Sequence, residues 1–597
     1  MISSRRLPNK RLQRTGISVP LIDNLSHDAV VSRPLKRNVR RLCVTWLCEK
    51  ENDEMKSVAV IGIFMLLCFG FCVSPCAAQG SLAGDWIGGI DFGNSWQPIN
   101  LHFKTDQQGI TGTLDLPQQG RNGLPLNRVV LESSHVRIEW QGRSGLAIYE
   151  GELRDGGIMG NFRQGETKAT FILAHETRID PKIYDRYAGS YKLKSDRFID
   201  IGPDDESDGR LRFLDSKTGR FGVLYPTSDS DFFSGPSFSI PLPVDIRIKF
   251  IRNERGEATG LSWQQGNSGA LAARKVNPYR KKEVTLRNGN AVLTGTLVLP
   301  LKKGPHPAIV LVSPGYSLDR QNGVYPYFFV RQGLAFFALD KRTVDGKSVD
   351  YLHSSFEERA EDVLAGVRLL KARKDIKPNQ IGLWGSSLSS WIAPLAATLS
   401  PDIAFLILKV PSALPVSENI LYEIESDMRE AEFSDSDIAK ARALRKLVST
   451  TILTNTGWVK AKAEVEKSKA EKWFGYARVG WFLSMKVPPD RATLDGLQGP
   501  LRYDPFPVLE RVTCPVLVIN GELDKSVDTK VSVPIMKKAL QKARNKQYTI
   551  IVLPKANHGL AESVTGYGSE AARNKKYVIE YWNTMAAWLR RHVDARN

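Results

Sequence analysis

The chain has 597 residues, too many for a single hydrophobic core, so we expect several domains. Its composition is that of an ordinary globular protein, without tandem repeats or a long low-complexity stretch. The formal net charge of +19 would suit a nucleic-acid-binding protein, but part of it lies in residues 1–54 and no basic stretch interleaved with aromatic residues follows. We therefore expect no nucleic-acid partner.

The first 78 residues have the features of a leader. Residues 1–54 are basic and show no fold pattern, so we interpret them as an unstructured leader that is not translated if Met55 is the true start. Residues 55–78 then begin with Met55-Lys56, continue with the apolar run Val58–Cys72 and end on small residues at Ala78, which is the order of a secretory signal peptide. The apolar run is short for a transmembrane helix. The sequence predicts a periplasmic or secreted protein with no stable membrane insertion after cleavage.

Two all-β domains are expected after the leader. Residues 79–175 alternate apolar and polar side chains between glycine, asparagine and aspartate turns, which predicts a small antiparallel barrel or sandwich. Residues 176–278 have the pattern of a second all-β domain. Its strand candidates are Arg197–Ile201, Leu211–Leu214, Phe221–Tyr225 and Ile246–Ile251.

The pattern changes at residue 279, where strands begin to alternate with helices. This alternation predicts that residues 279–597 form an α/β domain around a mostly parallel sheet. The predicted strands are Ala291–Leu299, Ala308–Val312, Ala335–Leu339, Ala404–Lys409, Val516–Asn520 and Thr549–Leu553, and the predicted helices include Phe356–Lys374 and Asn574–Val593. Residues 412–500 are helical and charged and interrupt the sheet pattern, so we expect a helical insertion that covers the site as a cap.

A serine stands between a predicted strand and a predicted helix at residue 387. The apolar run Ile381–Trp384 leads to Gly385 and Ser387, and an apolar helical pattern follows from Trp391. This is a G-x-S-x-S form of the G-x-S-x-G nucleophile elbow, in which a strained turn presents the serine hydroxyl at the edge of the sheet. We therefore predict that Ser387 is a nucleophile, and that the backbone N–H of Leu388 stabilises an oxyanion.

A serine hydroxyl needs a base and an acid that orients the base. Two histidines follow Ser387, and we prefer His558 because it lies in the loop after the predicted strand Thr549–Leu553, whereas His592 lies in the terminal helix. We prefer Asp524 as the acid because it follows the strand Val516–Asn520. Glu522 and Asp528 are the alternative acids. A second oxyanion donor is expected in the loop after Ala308–Val312, with the N–H of Tyr316 as the candidate.

Several stretches of the C-terminal half resemble a known family. They are Ser313–Arg320, Asp340–Arg342, Ile381–Ala397, Asn520–Asp524 and Asn557-His558. They resemble secreted bacterial α/β-hydrolases of the prolyl-oligopeptidase-like and dienelactone-hydrolase-like group, in particular EstD-type carboxylesterases with N-terminal β domains. The chain departs from that pattern where Pro314-Gly315 replaces the usual His-Gly, and where Ser389 and Ser390 replace glycines. The resemblance implies an α/β-hydrolase fold preceded by two small all-β domains.

The leading hypothesis is an exported serine hydrolase that cleaves a small-molecule carboxylic ester. Its site would contain Ser387, Asp524 and His558, with no cofactor and no metal. One alternative is a serine peptidase of the prolyl-oligopeptidase-like group that acts on short peptides. The other is an envelope binding protein with a hydrolase fold and no activity. The sequence does not indicate an oligomeric state.

Overall fold

The computed structural model describes residues 81–593 except 94, 143, 195, 205–208, 313–322 and 350–353. The expected leader at residues 1–54 and signal peptide at residues 55–78 lie outside the described residues, as does Tyr316. Within the described ranges, no helix combines the length and the apolar character needed to cross a membrane.

The first part of the described chain is a nine-stranded antiparallel sheet in the order β4-β3-β2-β1-β9-β8-β7-β6-β5. Its inward-facing apolar side chains form one core that includes Trp86, Phe103, Tyr149 and Phe171. The strands are β1 (Gly84–Asp91), β2 (Trp96–Asp106), β3 (Gly109–Leu116), β4 (Arg121–Pro125), β5 (Arg128–Glu132), β6 (His135–Gly142), β7 (Gly145–Arg154), β8 (Gly157–Gln164) and β9 (Thr167–Glu176).

The second part is a closed eight-stranded antiparallel barrel, because β17 pairs with β10 as well as with β16. Aromatic side chains fill its interior, among them Phe213 and Trp263. It is preceded by the single-turn helix α1 (Tyr184–Tyr187). Its strands are β10 (Gly189–Lys194), β11 (Arg197–Pro203), β12 (Leu211–Asp215), β13 (Phe221–Pro226), β14 (Asp231–Ser234), β15 (Ile246–Arg252), β16 (Ala258–Gln265) and β17 (Leu271–Val276).

The third part is built on a mixed nine-stranded sheet. Its strands are β18 (Tyr279–Asn288), β19 (Ala291–Pro300), β20 (His306–Val312), β21 (Ala335–Val344), β22 (Lys347–Ser348), β23 (Ile376–Ser386), β24 (Phe405–Lys409), β25 (Val516–Gly521) and β26 (Tyr548–Leu553). The strands β21-β20-β23-β24-β25-β26 pair in parallel. The strands β18 and β19 add an antiparallel edge, and β22 pairs antiparallel with β21. The sheet expected to be mostly parallel is therefore mixed.

The helices of this part bury two apolar clusters. They are α2 (Tyr325–Arg331), α3 (Phe356–Lys371), α4 (Ser389–Leu399), α5 (Val416–Glu430), α6 (Asp435–Thr454), α7 (Trp458–Ser468), α8 (Arg491–Arg502), α9 (Phe506–Leu509), α10 (Thr529–Lys542) and α11 (Glu580–His592). The helices α5 to α8 lie between β24 and β25 in the chain, where the sequence predicts an insertion. Ser355 and Glu358 form a capping box that begins α3, in agreement with the predicted start of that helix.

The last helix is shorter than predicted. The apolar pattern predicts a helix over Asn574–Val593, but α11 begins only at Glu580. The preceding residues are hydrogen-bonded to other segments of the chain. The N–H of Tyr577 donates to the carbonyl of Gly219, and the carbonyl of Lys576 accepts from the N–H of Glu562, both at 2.9 Å. Tertiary hydrogen bonds therefore replace the helical turn that local sequence favours.

Candidate active site

Ser387 lies on a sharp turn between β23 and α4. Its backbone is in the left-handed region, with φ of +53°, which is strained for a residue with a side chain. The strand and helix approach so closely here that a Cβ on Gly385 would lie 2.7 Å from the carbonyl oxygen of Ser389. The N–H of Ser387 donates to the carbonyl of Lys409 on β24 at 2.9 Å, which holds the turn against the neighbouring strand. Gly385 therefore permits the strained turn that raises the Ser387 side chain.

The two serines that replace glycines stabilise this turn. Ser389 Oγ accepts a hydrogen bond from the N–H of Ser386 at 2.7 Å and donates to the carbonyl of Ser386 at 2.8 Å. Ser390 Oγ donates to the carbonyl of Ser387. Both side chains are buried. The serines thus add side-chain hydrogen bonds to the backbone groups of the elbow.

The predicted base lies beside the predicted nucleophile. The Oγ of Ser387 is 3.0 Å from Nε2 of His558, and Nδ1 of His558 is 2.9 and 3.0 Å from the two carboxylate oxygens of Asp524. The Asp524 side chain is fully buried, and that of His558 is 30% exposed. The three groups come from the loops after β23, β25 and β26, at the carboxyl ends of parallel strands.

The loop after β25 holds the Asp524 carboxylate in place. Its Oδ1 also accepts hydrogen bonds from the N–H groups of Ser526 and Val527, each at 2.8 Å. The alternative acids have other partners: Glu522 accepts from the N–H of Lys555, and Asp528 caps the start of α10. The geometry thus pairs Asp524, and neither alternative, with the imidazole.

Helix α5 of the insertion contacts the Asp524 loop through two polar side chains. The Tyr422 hydroxyl donates to the carbonyl of Asp524 at 2.9 Å, and Asn419 Nδ2 donates to the carbonyl of Ser526 at 3.1 Å. Burial raises the pKa of the Tyr422 hydroxyl, and the Asp524 carboxylate adds to this, so the phenol remains a proton donor. Sequence analysis missed both residues, because nothing local to α5 signals a partner more than 100 residues away.

A buried charged cluster lies behind that contact. Glu423 accepts a hydrogen bond from Asn419 at 2.8 Å and pairs with Arg478, which also binds Asp427 at 2.6 Å. Burial raises the pKa of Glu423 to about 7, although the Arg478 guanidinium and the nearby His558 act in the opposite direction. Burial also lowers the pKa of Arg445, whose guanidinium donates to the Arg478 carbonyl, to about 10. Glu423 is close enough to His558 for their charges to interact, so this cluster links the insertion to the surroundings of the imidazole.

Only one of the two predicted oxyanion donors can be located. Leu388 directly precedes α4, and the first N–H groups of a helix have no acceptor within it and lie at the positive end of its dipole. The other donor, Tyr316, lies outside the described residues. Within the described ranges, no cluster of three or more histidine, cysteine or acidic side chains has the arrangement of a metal site.

Fold and site together define a class of protein. A serine on the elbow after a central parallel strand, followed in the chain by an aspartate and then a histidine on later strand ends, is the arrangement of α/β-hydrolases.

No protein-family model matches the chain. Among characterised proteins, it is similar to esterase EstD of Thermotoga maritima, with 25% identity over 379 residues that cover 59% of this chain and 76% of EstD. It is also similar to thiohydrolase apmlB of Arthrinium phaeospermum, with 26% identity over 148 residues, covering 24% of this chain and 45% of that protein. The similarity to EstD supports a relationship to esterase-like hydrolases.

Two solved structures illustrate the structural similarity. The Pyrococcus furiosus esterase Pf2001 gives a TM-score of 0.32 at 16% identity, covering 53% of this chain and 91% of that one. The Pyrococcus horikoshii acylaminoacyl peptidase gives a TM-score of 0.36 at 12% identity, covering 86% of this chain and 82% of that one.

Proposed function

We propose that the chain is a serine hydrolase that cleaves carboxylic esters through an acyl-enzyme intermediate. The observation that carries this proposal is the continuous hydrogen-bonded series from Ser387 Oγ to His558 and from His558 to Asp524. A serine hydroxyl at neutral pH is a weak nucleophile unless a neighbouring base takes its proton, and this series supplies the base and the group that orients it.

In the proposed reaction, Ser387 Oγ attacks the acyl carbonyl while Nε2 of His558 takes the hydroxyl proton. The Asp524 carboxylate holds Nδ1–H and stabilises the imidazolium, but keeps its own charge. His558 then gives the proton to the leaving alcohol as the tetrahedral intermediate collapses. A water molecule, deprotonated by the same imidazole, attacks the acyl-enzyme, and the imidazolium returns this proton to Ser387 Oγ as the acid is released.

The oxyanion of each tetrahedral intermediate would be held by backbone N–H groups. We propose the N–H of Leu388 as one donor, because it lies next to Ser387 at the positive end of α4. We retain Tyr316 as the proposed second donor, on the sequence argument alone. No metal or organic cofactor enters the proposed mechanism.

The similarity to EstD favours an ester as the substrate, since that relative is an esterase. A short-peptide substrate is the second candidate within the same chemistry. The binding-protein alternative rested on Ser389 and Ser390, but these side chains stabilise the elbow and give no reason to expect an inactive site.

The test is a panel of p-nitrophenyl esters and peptide p-nitroanilides, assayed with the wild type beside Ser387→Ala. We expect ester hydrolysis by the wild type and none above background by the variant. Faster turnover of the anilides would make the peptidase the better description. Equal rates for wild type and variant would refute the proposed nucleophile.

We also propose that the mature protein is exported and periplasmic or secreted, on the evidence of the signal-peptide pattern at residues 55–78. Mass spectrometry of the N-terminus from the native host tests this: cleavage after Ala78 is expected, and a protein that keeps those residues would contradict export.

A further inference from the structure

The turn that joins β12 and β13 of the barrel contacts the segment just before α11. Arg220 and Lys576 form an antiparallel bridge, and the N–H of Tyr577 donates to the carbonyl of Gly219 at 2.9 Å. The buried Arg220 guanidinium also donates to the carbonyl of Lys575 at 3.2 Å. The rings of Phe221 and Tyr577 stack with their centres 4.3 Å apart. The barrel is therefore joined to this segment by both backbone and side chains.

The same segment is bonded on its other side to the loop that carries His558. Ala561 and Tyr577 form an antiparallel bridge, and the N–H of Val578 donates to the carbonyl of Leu560 at 3.0 Å. The segment at 574–579 is thus held between the barrel turn and the chain just after His558.

A third bridge closes the loop around the histidine. Ala556 pairs with Glu562, and the N–H of Asn557 donates to the carbonyl of Ala561 at 3.0 Å. The carbonyl of Ala556 in turn accepts from the N–H of Leu523, the residue before Asp524, at 2.9 Å. A continuous series of backbone hydrogen bonds therefore runs from the barrel turn to both sides of His558.

We propose that the β12–β13 turn of the barrel is a positioning element for the base of the active site, with Gly219 and Phe221 as its positioning residues. This inference rests on the proposed function, because it assigns the barrel a part in the same reaction. Neither residue touches the reacting groups. They act by fixing the segment against which the His558 loop is held, and the distance from Ser387 Oγ to the imidazole depends on that loop.

Gly219 provides a specific way to disturb this contact. Its φ is +72°, and a Cβ there would lie 2.5 Å from the carbonyl oxygen of Tyr577, so Gly219→Ala must displace that backbone. The matched control is Gly266→Ala in the turn between β16 and β17. Its φ is also positive, at +53°, but a Cβ there meets nothing within 4 Å. Both variants carry the intrinsic cost of alanine in a left-handed conformation, and only Gly219→Ala strains the contact.

The experiment measures the second-order rate constant for labelling of Ser387 by a fluorophosphonate probe, for the full chain with each substitution. Because this rate constant refers to folded molecules, a loss of stability alone does not change it. We expect Gly219→Ala to label at least about tenfold more slowly than the wild type, and Gly266→Ala to label at the wild-type rate, since small displacements of reacting groups cost this much or more.

Equal rate constants for the two variants would overturn the inference. If Gly219→Ala fails to fold, Phe221→Leu replaces it, since leucine keeps the site apolar but removes the ring stack with Tyr577. Slower labelling by Phe221→Leu supports the inference, and labelling at the wild-type rate rejects it. Failure of the folded wild type to label would reject the proposed function itself, and so the two failures are distinguishable.

Discussion

The carboxylate of Asp524 receives Nδ1 of His558 between its two oxygens, at 2.9 and 3.0 Å. Because a carboxylate only accepts hydrogen bonds, this contact favours the tautomer with its proton on Nδ1, which presents an unprotonated Nε2 to Ser387. Asp524→Asn keeps the shape of the side chain but offers an amide N–H to the ring, which favours the wrong tautomer. We expect kcat for a p-nitrophenyl ester to fall by roughly 10⁴ with little change in folding.

The matched control for Asp524→Asn is Asp528→Asn, four residues further along the chain. Asp528 caps α10, and asparagine caps a helix about as well as aspartate does. Near wild-type kcat is expected for that variant. A similar loss in both variants would mean that the local fold, and not the imidazole, had been disturbed.

A second prediction concerns the helical insertion. Tyr422→Phe removes the hydroxyl that donates to the Asp524 carbonyl. One such hydrogen bond is worth about 1 kcal/mol, so we expect kcat to fall by roughly fivefold, with KM changed less than kcat. Tyr476→Phe is the control, because that ring packs on Phe433 elsewhere in the insertion. Unchanged kinetics in Tyr422→Phe would show that the contact does not influence the acid.

A third prediction concerns the elbow. Gly385→Ala would bring a Cβ to 2.7 Å from the carbonyl oxygen of Ser389, so the strand and helix would have to separate and Ser387 would move. Displacement of a reacting group by about 1 Å lowers the rate by roughly 10², so we expect kcat/KM to fall by about that factor. Gly496→Ala in α8, where a Cβ meets nothing within 4 Å, should leave kcat/KM unchanged. Full activity in Gly385→Ala would contradict the close approach.

The fourth prediction concerns pH. Burial raises the pKa of Glu423 to about 7 from an ordinary value of 4.5. Between these two values the native state binds more protons than the unfolded state, so the contribution of Glu423 to stability falls as the pH rises. Glu423→Gln removes this titration. From about pH 5 to about pH 8, the wild type should lose up to about 3 kcal/mol in free energy of unfolding relative to that variant.

Urea denaturation of both proteins at the two pH values measures this difference. Glu418→Gln, at the exposed start of the same helix, is the control and should follow the wild type at both pH values. If the wild type instead became more stable relative to Glu423→Gln as the pH rose, the pKa of Glu423 would be lowered and not raised. The attraction of Arg478 would then outweigh the effect of burial.

The strongest parts of the sequence prediction depend on local pattern. An apolar run, a glycine and a helical repeat around Ser387 gave the elbow, because tight turns restrict residue type locally. His558 and Asp524 could be selected since each follows an apolar strand, and parallel strands end on the same edge of a sheet. The topology that this alternation predicts places the three residues at one edge of the sheet, and the structure brings their side chains together.

What sequence could not predict depends on contacts between distant segments. The start of α11 is the clearest case: residues 574–579 continue the helical apolar pattern of α11, but they are not helical because they pair with Gly219 and the His558 loop. The contact of Tyr422 with Asp524 and the closure of the eight-stranded barrel have the same origin. None of these has a local signal, because strand register and side-chain partners are set by packing.

The most direct test of the account is the site and stoichiometry of labelling by a fluorophosphonate, read by mass spectrometry of the folded wild type and of Ser387→Ala. Ser387 should carry the phosphonyl group at about one per chain in the wild type, since only a serine paired with a base reacts readily with such a probe. The variant should carry none. A folded wild type that stays unlabelled, or that is labelled at a different residue, would contradict the proposal that Ser387 is an activated nucleophile.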